Sequence, residues 1–488
     1  NLDGGTLATA RQFTTGTIEY NTSSIFNFNG GLLQAKKDQE KLMVGADSPF
    51  QALSGVYIRN GGAIFDTTSG NLGIMHDILH STNIADNAID GGVTVSGVGG
   101  LTLGGNNSYT GPTVVKSGAI CMASTTAVPN YLTGGVTVSN GAAFGVRLGS
   151  DSSISQSDFD TIISSSAIFD AANKNVAISV SGNGGVPNDN STIGDLTGSR
   201  GVVKVGSGTL QMMGTYTYSG PTILAGGTLQ LVSGAAHPPT GGYIINGVLP
   251  LKVGDGSTPD SGDLGVNIVT MTNGGKLVFN RPNTSPFVVT NQFFGDSGGI
   301  FNIYAGSSVT FSNSGSAWYY TSDQAGTMIF DLGAGGSVTG SGPISSSQYG
   351  AVSELDWVSG NGNFPDAQFP ARATTTTTSS AAVTTINILG GDLYFNPTSI
   401  FDIGDVGTAY VNVSNGNMTI GGTNSVNFNL GGNLGFGSTG SGILTITGGE
   451  CAITNSNMQI ILGDMSGASG ALNLYGGTLL SSASIAGG

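Results

Sequence analysis

The sequence predicts an all-β chain: a right-handed parallel β-helix, or β-solenoid, with loop insertions and one short helix. Three observations point there. Gly99 to Ile120 and Gly208 to Leu229 align without a gap at an offset of 109 residues, with Tyr109 on Tyr218 and Gly111-Pro112-Thr113 on Gly220-Pro221-Thr222. Near the end a tighter repeat appears, Gly435 to Gly449 against Gly463 to Gly477, with a looser copy in which Val411 and Val413 match Leu444 and Ile446. The composition agrees: 83 glycines and 9% charged residues in 488, with the remaining apolar content spread evenly, describe a repetitive chain that can still build a core.

Each unit supplies one or two short strands whose alternate residues are Leu, Ile, Val, Met or Phe, and one such strand cannot bury its apolar face alone. Stacking like on like satisfies backbone and side chains together, which is the logic of a solenoid. At about 25 residues per turn and about 4.8 Å per rung, the chain predicts a rod on the order of 90 Å long. Crossover sterics favour a right-handed coil.

Taken in order, residues 1–90 read as N-terminal rungs. In Ile25 to Leu33, Phe26 and Phe28 alternate with Asn, and Gly30-Gly31 allows the corner. Asn71 to Ala88 carries Ile74, Ile78 and Leu79 at helical spacing and is the predicted short helix. His76 and His80 stand at i and i+4 beside Asp77, a metal-ligand spacing that lacks an accompanying glutamate or third ligand. Residues 91–251 hold the paired repeats. The insert at 150–199 is expected to anchor through Phe159, Ile162, Ile163, Ile168 and Phe169. Residues 252–373 continue the solenoid with aromatic-rich loops, TTTTTSS at Thr374–Ser380 marks a boundary, and 381–488 form a C-terminal solenoid of about 28-residue repeats.

Composition excludes several functions. A net charge of −15, with 14 scattered Lys and Arg, offers no basic stripe for nucleic acid. No apolar run reaches the length of a membrane-spanning helix. Two cysteines make no disulfide framework; the repeats place Cys121 outward and Cys451 inward. The four glutamates, Glu19, Glu40, Glu354 and Glu450, lie far apart, so no catalytic carboxylate pair is apparent and the chain reads as a non-enzyme. Glu354, Asp356 and Trp357 are the nearest thing to one. Asp255, Asp260 and Asp263 form a loose calcium-like loop that fits no EF-hand spacing, and no other cofactor is implied. Trp318, Tyr319, Tyr320 and Trp357 are candidate aromatics for gripping a glycan or a cell-surface target. The sequence begins at Asn1 without a leader, as a mature secreted chain or a fragment would.

The stretches GGLTLGGNNSYTGPTVVKSGAI and GSGTLQMMGTYTYSGPTILAGGTLQL resemble the autotransporter-associated β-strand repeat of bacterial passenger domains and large secreted bacterial proteins. That resemblance implies a right-handed β-helix at the cell surface or outside the cell. A C-terminal membrane barrel is not apparent, and the repeat carries no catalytic residues to transfer.

The two ends share one phase. Asn473 to Leu479 repeats Asn1 to Leu7 with a single difference, Tyr475 against Asp3. Open solenoid ends are sheet edges that invite pairing. The expectation is therefore an extracellular structural protein that joins itself head to tail through Asn1, Leu2, Leu7, Leu474 and Leu479, in a filament, matrix fibre or surface layer. A monomeric adhesin is the alternative, a polysaccharide-degrading enzyme the more distant one.

Overall fold

The computed structural model describes the chain apart from residues 14–22, 45–52, 150, 170–173, 181–189, 194–199, 213–217, 233–240, 247–249, 255–261, 263, 265–267, 273–274, 280–286, 290–292, 296–297, 304–307, 312–317, 320–325, 333–336, 341–343, 346–351, 365, 370–381, 400, 406, 433–439, 465 and 488. In several strands, most of those between 287 and 353, the backbone alone is described. Contacts divide the chain into two compact units, Asn1–Leu229 with Pro239–Gly241, and Gln230–Pro238 with Gly242–Gly488. The predicted boundary at Thr374–Ser380 lies outside the described residues.

Both units are parallel β-solenoids. In the first, a coil consists of three strands joined by corners or loops: Ile25–Phe28, Leu32–Ala35 and Gln39–Met43, then Gly55–Ile58, Ala63–Asp66 and Leu72–Ile74, then Ile78–His80, Val93–Ser96 and Gly100–Leu103. Each strand pairs in parallel with its equivalent one coil on, as Ala63 does with Val93 and Leu101 with Leu72. Period-2 alternation sends Phe28, Phe65, Val93, Val95 and Leu101 inside, where none is exposed. Corner glycines at positive φ, such as Gly62 at 81° and Gly92 at 66°, press against the backbone of the next coil, leaving no room for a Cβ.

The predicted helix over 71–88 is not there. Leu72–Ile74 and Ile78–His80 are strands, because the neighbouring coils claim their backbone: Asn71 N donates to Asp38 Oδ1 and Ile78 N to Asn107 Oδ1. Leu72, Ile74 and Ile78 are all buried, at a spacing that also serves two short strands. The one α-helix among the described residues is Gln156–Ile163, in the insert. Ser155 caps it, accepting from Asp158 N while the Asp158 side chain returns a bond to the Ser155 backbone. Phe159, Ile162, Ile168 and Phe169 are buried as expected; Ile163 is half-buried. Arg200 ties this segment down, its guanidinium 4.9 Å from the centre of the Phe169 ring and bonded to Ile163 O and Phe169 O.

The second unit keeps a three-strand coil to its end: Thr408–Val413, Asn417–Ile420 and Phe428–Leu430, then Ser441–Ile446, Glu450–Ile453 and Gln459–Leu462, then Ser469–Leu474, Thr478–Ser481 and Ser484–Gly487. Val411 pairs with Leu444 and Val413 with Ile446, the register read from the sequence. Ser469 and Ser441, 28 residues apart, are hydrogen-bonded between successive coils. The interior is a column of rings, Phe364, Phe395, Phe401 and Phe428, with the last two centroids 4.9 Å apart and edge to face. Among Leu393, Phe395, Phe401, Ile403 and Met418 only about 10 Å³ of free space is left.

Because Phe401 touches a ring above and a ring below, Phe401→Ala is expected to cost about 3–5 kcal/mol. A urea unfolding series would show this as a lowered midpoint for the second unit.

Candidate functional site

The two aligned repeats build the same local object. In the first, Tyr109 is buried and its hydroxyl meets Thr113 Oγ1 at 2.7 Å; in the second, Tyr218 meets Thr222 Oγ1 in the same way. The Gly-Pro between them puts its carbonyl under the start of the preceding strand, with Val93 N donating to Pro112 O and Val202 N to Pro221 O. A Cβ on Gly111 would fall 2.3 Å from Asp90 O, and one on Gly220 would fall 2.2 Å from Gly201 N. Tyr, Gly, Pro and Thr are thus a corner clamp: the phenol fills the bend, and its polar tip is satisfied by the threonine that opens the next strand.

The copies sit differently in the coil. Up to Ala143–Leu148, the sheet that begins Gln39–Met43, Leu72–Ile74, Gly100–Leu103 and Ala119–Met122 receives the later arm of each coil. After the helical insert Asn175–Val180 continues this sheet, followed by Val202–Val205 and Thr222–Leu224, now as the earlier arm. The later arms Asn190–Ile193 and Thr209–Met212 pair with each other in another sheet.

The sheet that runs from Gln39–Met43 to Thr222–Leu224 also curls so far that its outward side closes on itself. Thr102 Oγ1 lies 3.4 Å from Ser179 Oγ, and a Cβ on Gly100 would come within 2.8 Å of the Val205 side chain, although several strands separate them in sheet order. Small outward residues, Ala119, Cys121, Ala143 and Ala177, pack there with Val203 and Val205. Cys121 is therefore on the outward side, as predicted, but it is fully buried rather than a surface thiol; burial pushes its pKa up to about 12. Cys451 is buried in the interior and pushed up to about 12 by the same cause. Both thiols are free.

Charges cross this closure. Arg147, with no exposed surface, is gripped by both Asp151 oxygens at 2.9 and 2.8 Å and reaches Glu40 Oε2 and Thr102 Oγ1 at 3.5 Å each. Burial pulls the guanidinium's pKa down, but Asp151 and Glu40 outweigh it and the net shift is upward. The other Glu40 oxygen accepts from Ser207 N. Lys204 is also fully buried, its Nζ donating to Val205 O, Gly206 O and Gly226 O at 2.8–3.0 Å. Burial lowers its pKa to about 7, against the opposing fields of Glu40, Cys121 and Asp38. Lys204 stands where the first repeat has Val95, an inward position, and that mismatch is the sequence signal for this cluster. Nothing in the sequence linked Glu40 to Arg147 or Ser207.

The predicted site residues do not converge. Trp357 is corrected from a surface aromatic to a core one: it has no exposed surface, meets Phe364 edge to face at 6.4 Å and donates from Nε1 to Gly360 O. Its place on the inward phase of Val352–Ser359 is the reason. Trp318–Tyr319 is a short strand whose side chains are outside the described residues, as are Tyr320, Asp255, Asp260 and Asp263. Glu354 and Asp356 share one amide, accepting from Asn387 Nδ2 at 2.8 and 2.9 Å. His76 Nδ1 and Nε2 face the carbonyls of Asp77 and Leu53, and His80 Nδ1 faces Asp90 at 2.9 Å, so the two rings serve separate hydrogen bonds rather than one metal. Asp90, whose carboxylate also accepts from Gly92, Thr110 and Gly111, is held below the usual carboxylate range: burial alone would raise it, but these bonds outweigh burial. No cluster of three or more acidic, His or Cys residues able to hold a metal occurs among the described residues. Leu2 is buried, Leu7 and Leu479 are half-buried, and Asn1 and Leu474 are exposed.

Residues 93–120 and 202–231 each match the family model of the passenger-associated-transport-repeat. These two segments are similar to that repeat. Each match runs from the first of the two strands before the corner clamp into the second of the two strands after it, so the matched segment is the clamp with its flanking arms. Neither a curated protein nor a solved structure matches the chain.

Two outcomes follow from this geometry. Tyr218→Phe strands the Thr222 hydroxyl in a buried corner and is expected to cost about 1–3 kcal/mol, measured by urea unfolding of the first unit. Lys204 binds fewer protons folded than unfolded between its folded pKa of about 7 and the ordinary 10.5, so stability rises with pH through that range and is lost as pH falls toward 7. The buried thiols oppose this only above their ordinary 9.0. Thermal melts from pH 7 to pH 9 should therefore show a rising melting temperature that Lys204→Met flattens.

Proposed function

We propose that the protein is an extracellular, non-catalytic structural β-solenoid that assembles head to tail with copies of itself into a filament, matrix fibre or surface layer. Two features support the reading. The matches to the transport repeat associate the chain with passengers carried out of the cell. The observation that carries the assembly is the repetition of Asn1–Leu7 at Asn473–Leu479, which puts Leu2 and Leu474 in one phase of the coil.

On the inward phase Leu474 stands in register over the buried Ile446, Leu479 over the buried Cys451 and Ile485 over the buried Ile460. A parallel coil stacked on Ser469–Gly487 would continue these apolar columns and pair its backbone groups. In this reading the Asn1–Leu7 region of a second copy is that coil, because Asn1, Leu2 and Leu7 repeat the residue types of Asn473, Leu474 and Leu479. A contact of this kind is heterologous and does not close, so it propagates.

Electron microscopy of the purified protein should show filaments with an axial repeat near the length of one molecule. The double variant Leu474→Asp, Ile485→Asp places two charges in the joint and is expected to yield single particles of unchanged secondary structure. Wild-type protein that stays monomeric at high concentration would overturn the assembly reading.

A further inference from the structure

The sheet formed by Ile25–Phe28, Gly55–Ile58 and Ile78–His80 turns one side inward with Phe28, Val56, Ile58 and Ile78. Its other side borders a cleft of about 300 Å³, lined among the described residues by Tyr57, Ile25, Asn27, Arg59, Thr82 and Asn83, among others. This volume is at the small end of ligand sites. Asn1, a residue of the proposed joint, also lines the cleft; none of its lining residues belongs to the segments that match the transport repeat.

We propose that this cleft binds a neutral pyranose, as the terminal residue of a glycan. Tyr57 provides the platform. Its ring folds back along its own strand over Gly55, so closely that a Cβ there would fall 2.5 Å from Cε2 and 3.0 Å from the hydroxyl oxygen. Gly55 is therefore what allows an aromatic ring to lie along the cleft floor, beside Ile25, which is 53% exposed. An apolar floor of this kind suits the C–H face of a sugar, while the phenol hydroxyl stays available to the rim.

The polar groups around it suit hydroxyls. Asn27 donates through Nδ2 to Asn1 Oδ1 at 2.7 Å, and its own Oδ1 makes no hydrogen bond among the described residues. Asn83 accepts at Oδ1 from Ala85 N, leaving its Nδ2 and the neighbouring Thr82 hydroxyl likewise unbonded. An amide oxygen, an amide N–H pair and a hydroxyl are the mixed donors and acceptors that vicinal sugar hydroxyls require. Charge selects a neutral ligand: the Arg59 guanidinium is held along one edge, through Nε and Nη2, by both Asp86 oxygens at 2.9 and 3.1 Å, so the pair stiffens the wall and presents no net charge to a carboxylate or phosphate.

The test uses the whole protein and four probes, the methyl glycosides of glucose, galactose, mannose and N-acetylglucosamine, by saturation-transfer NMR. At least one should receive saturation from the protein with a dissociation constant in the millimolar range. Tyr57→Ala should weaken that probe by about tenfold or more, and Tyr57→Phe should retain it. Gly55→Ala lifts the ring off its seat without removing it and should weaken the same probe, which keeps the test decisive if Tyr57→Ala fails to fold. Absence of transfer to all four probes overturns the proposal, as does binding undiminished in both Tyr57→Ala and Gly55→Ala. Because Asn1 belongs both to the cleft and to the proposed joint, the probes are measured on the assembly-deficient double variant as well as on the wild-type protein.

Discussion

The parallel ladder between coils is the constraint on which everything else depends. A strand of three to six residues has no stability of its own, and half of its backbone groups would be unsatisfied without a partner on either side. Stacking each strand on its equivalent supplies those partners and simultaneously places like side chains over one another. The column Phe364, Phe395, Phe401 and Phe428 and the pairs Val411 with Leu444 and Val413 with Ile446 are consequences of that one geometry. It also explains the glycines, since corners such as Gly62 and Gly92 touch the backbone of the next coil. Coil length is left free: Thr110 reaches Asp90 across 20 residues, whereas Asn387 reaches Glu354 across 33.

Within the first unit this freedom is used to change phase. The insert with its capped helix delivers the chain to the same sheet through a different arm of the coil. Two repeats that are nearly identical locally therefore occupy different faces. The sheet that joins them folds its outward side shut, and the residues there are small enough to allow it. Closing it takes Arg147 out of water with Glu40 and Asp151 half-buried beside it, which is tolerable because each charge is bonded. Lys204 is the least comfortable member of the group, an ammonium in place of a valine, and three backbone carbonyls hold it there.

The corner clamp shows how far local sequence reaches. Tyr, Gly-Pro and Thr act within a few residues of one another, so the motif was visible as a motif before its hydrogen bond was known. Helix placement was less legible. Ile74, Ile78 and Leu79 fit helical spacing, but Leu72, Ile74 and Ile78 equally serve two short strands, and the choice was made by Asp38 and Asn107 on adjoining coils. Ser155 and Asp158, by contrast, are a capping box that could have been read directly. Trp357 looked like a binding residue because of its type, and it is core because of its parity in the strand.

The sequence by itself determined the class of fold, the strands' inward residues, the register of the 28-residue repeats and the corner clamp, because these follow from periodicity and from contacts a few residues long. Tertiary structure alone decided that Cys121 is buried, that Glu40 meets Arg147 and Ser207, and that Tyr57 lies over Gly55 beside Ile25 in an open cleft. Those outcomes depend on how far a sheet curls and which coils lie side by side. Curling and coil length are set by the sum of many weak packing terms along the stack, and no short stretch of residues carries that sum.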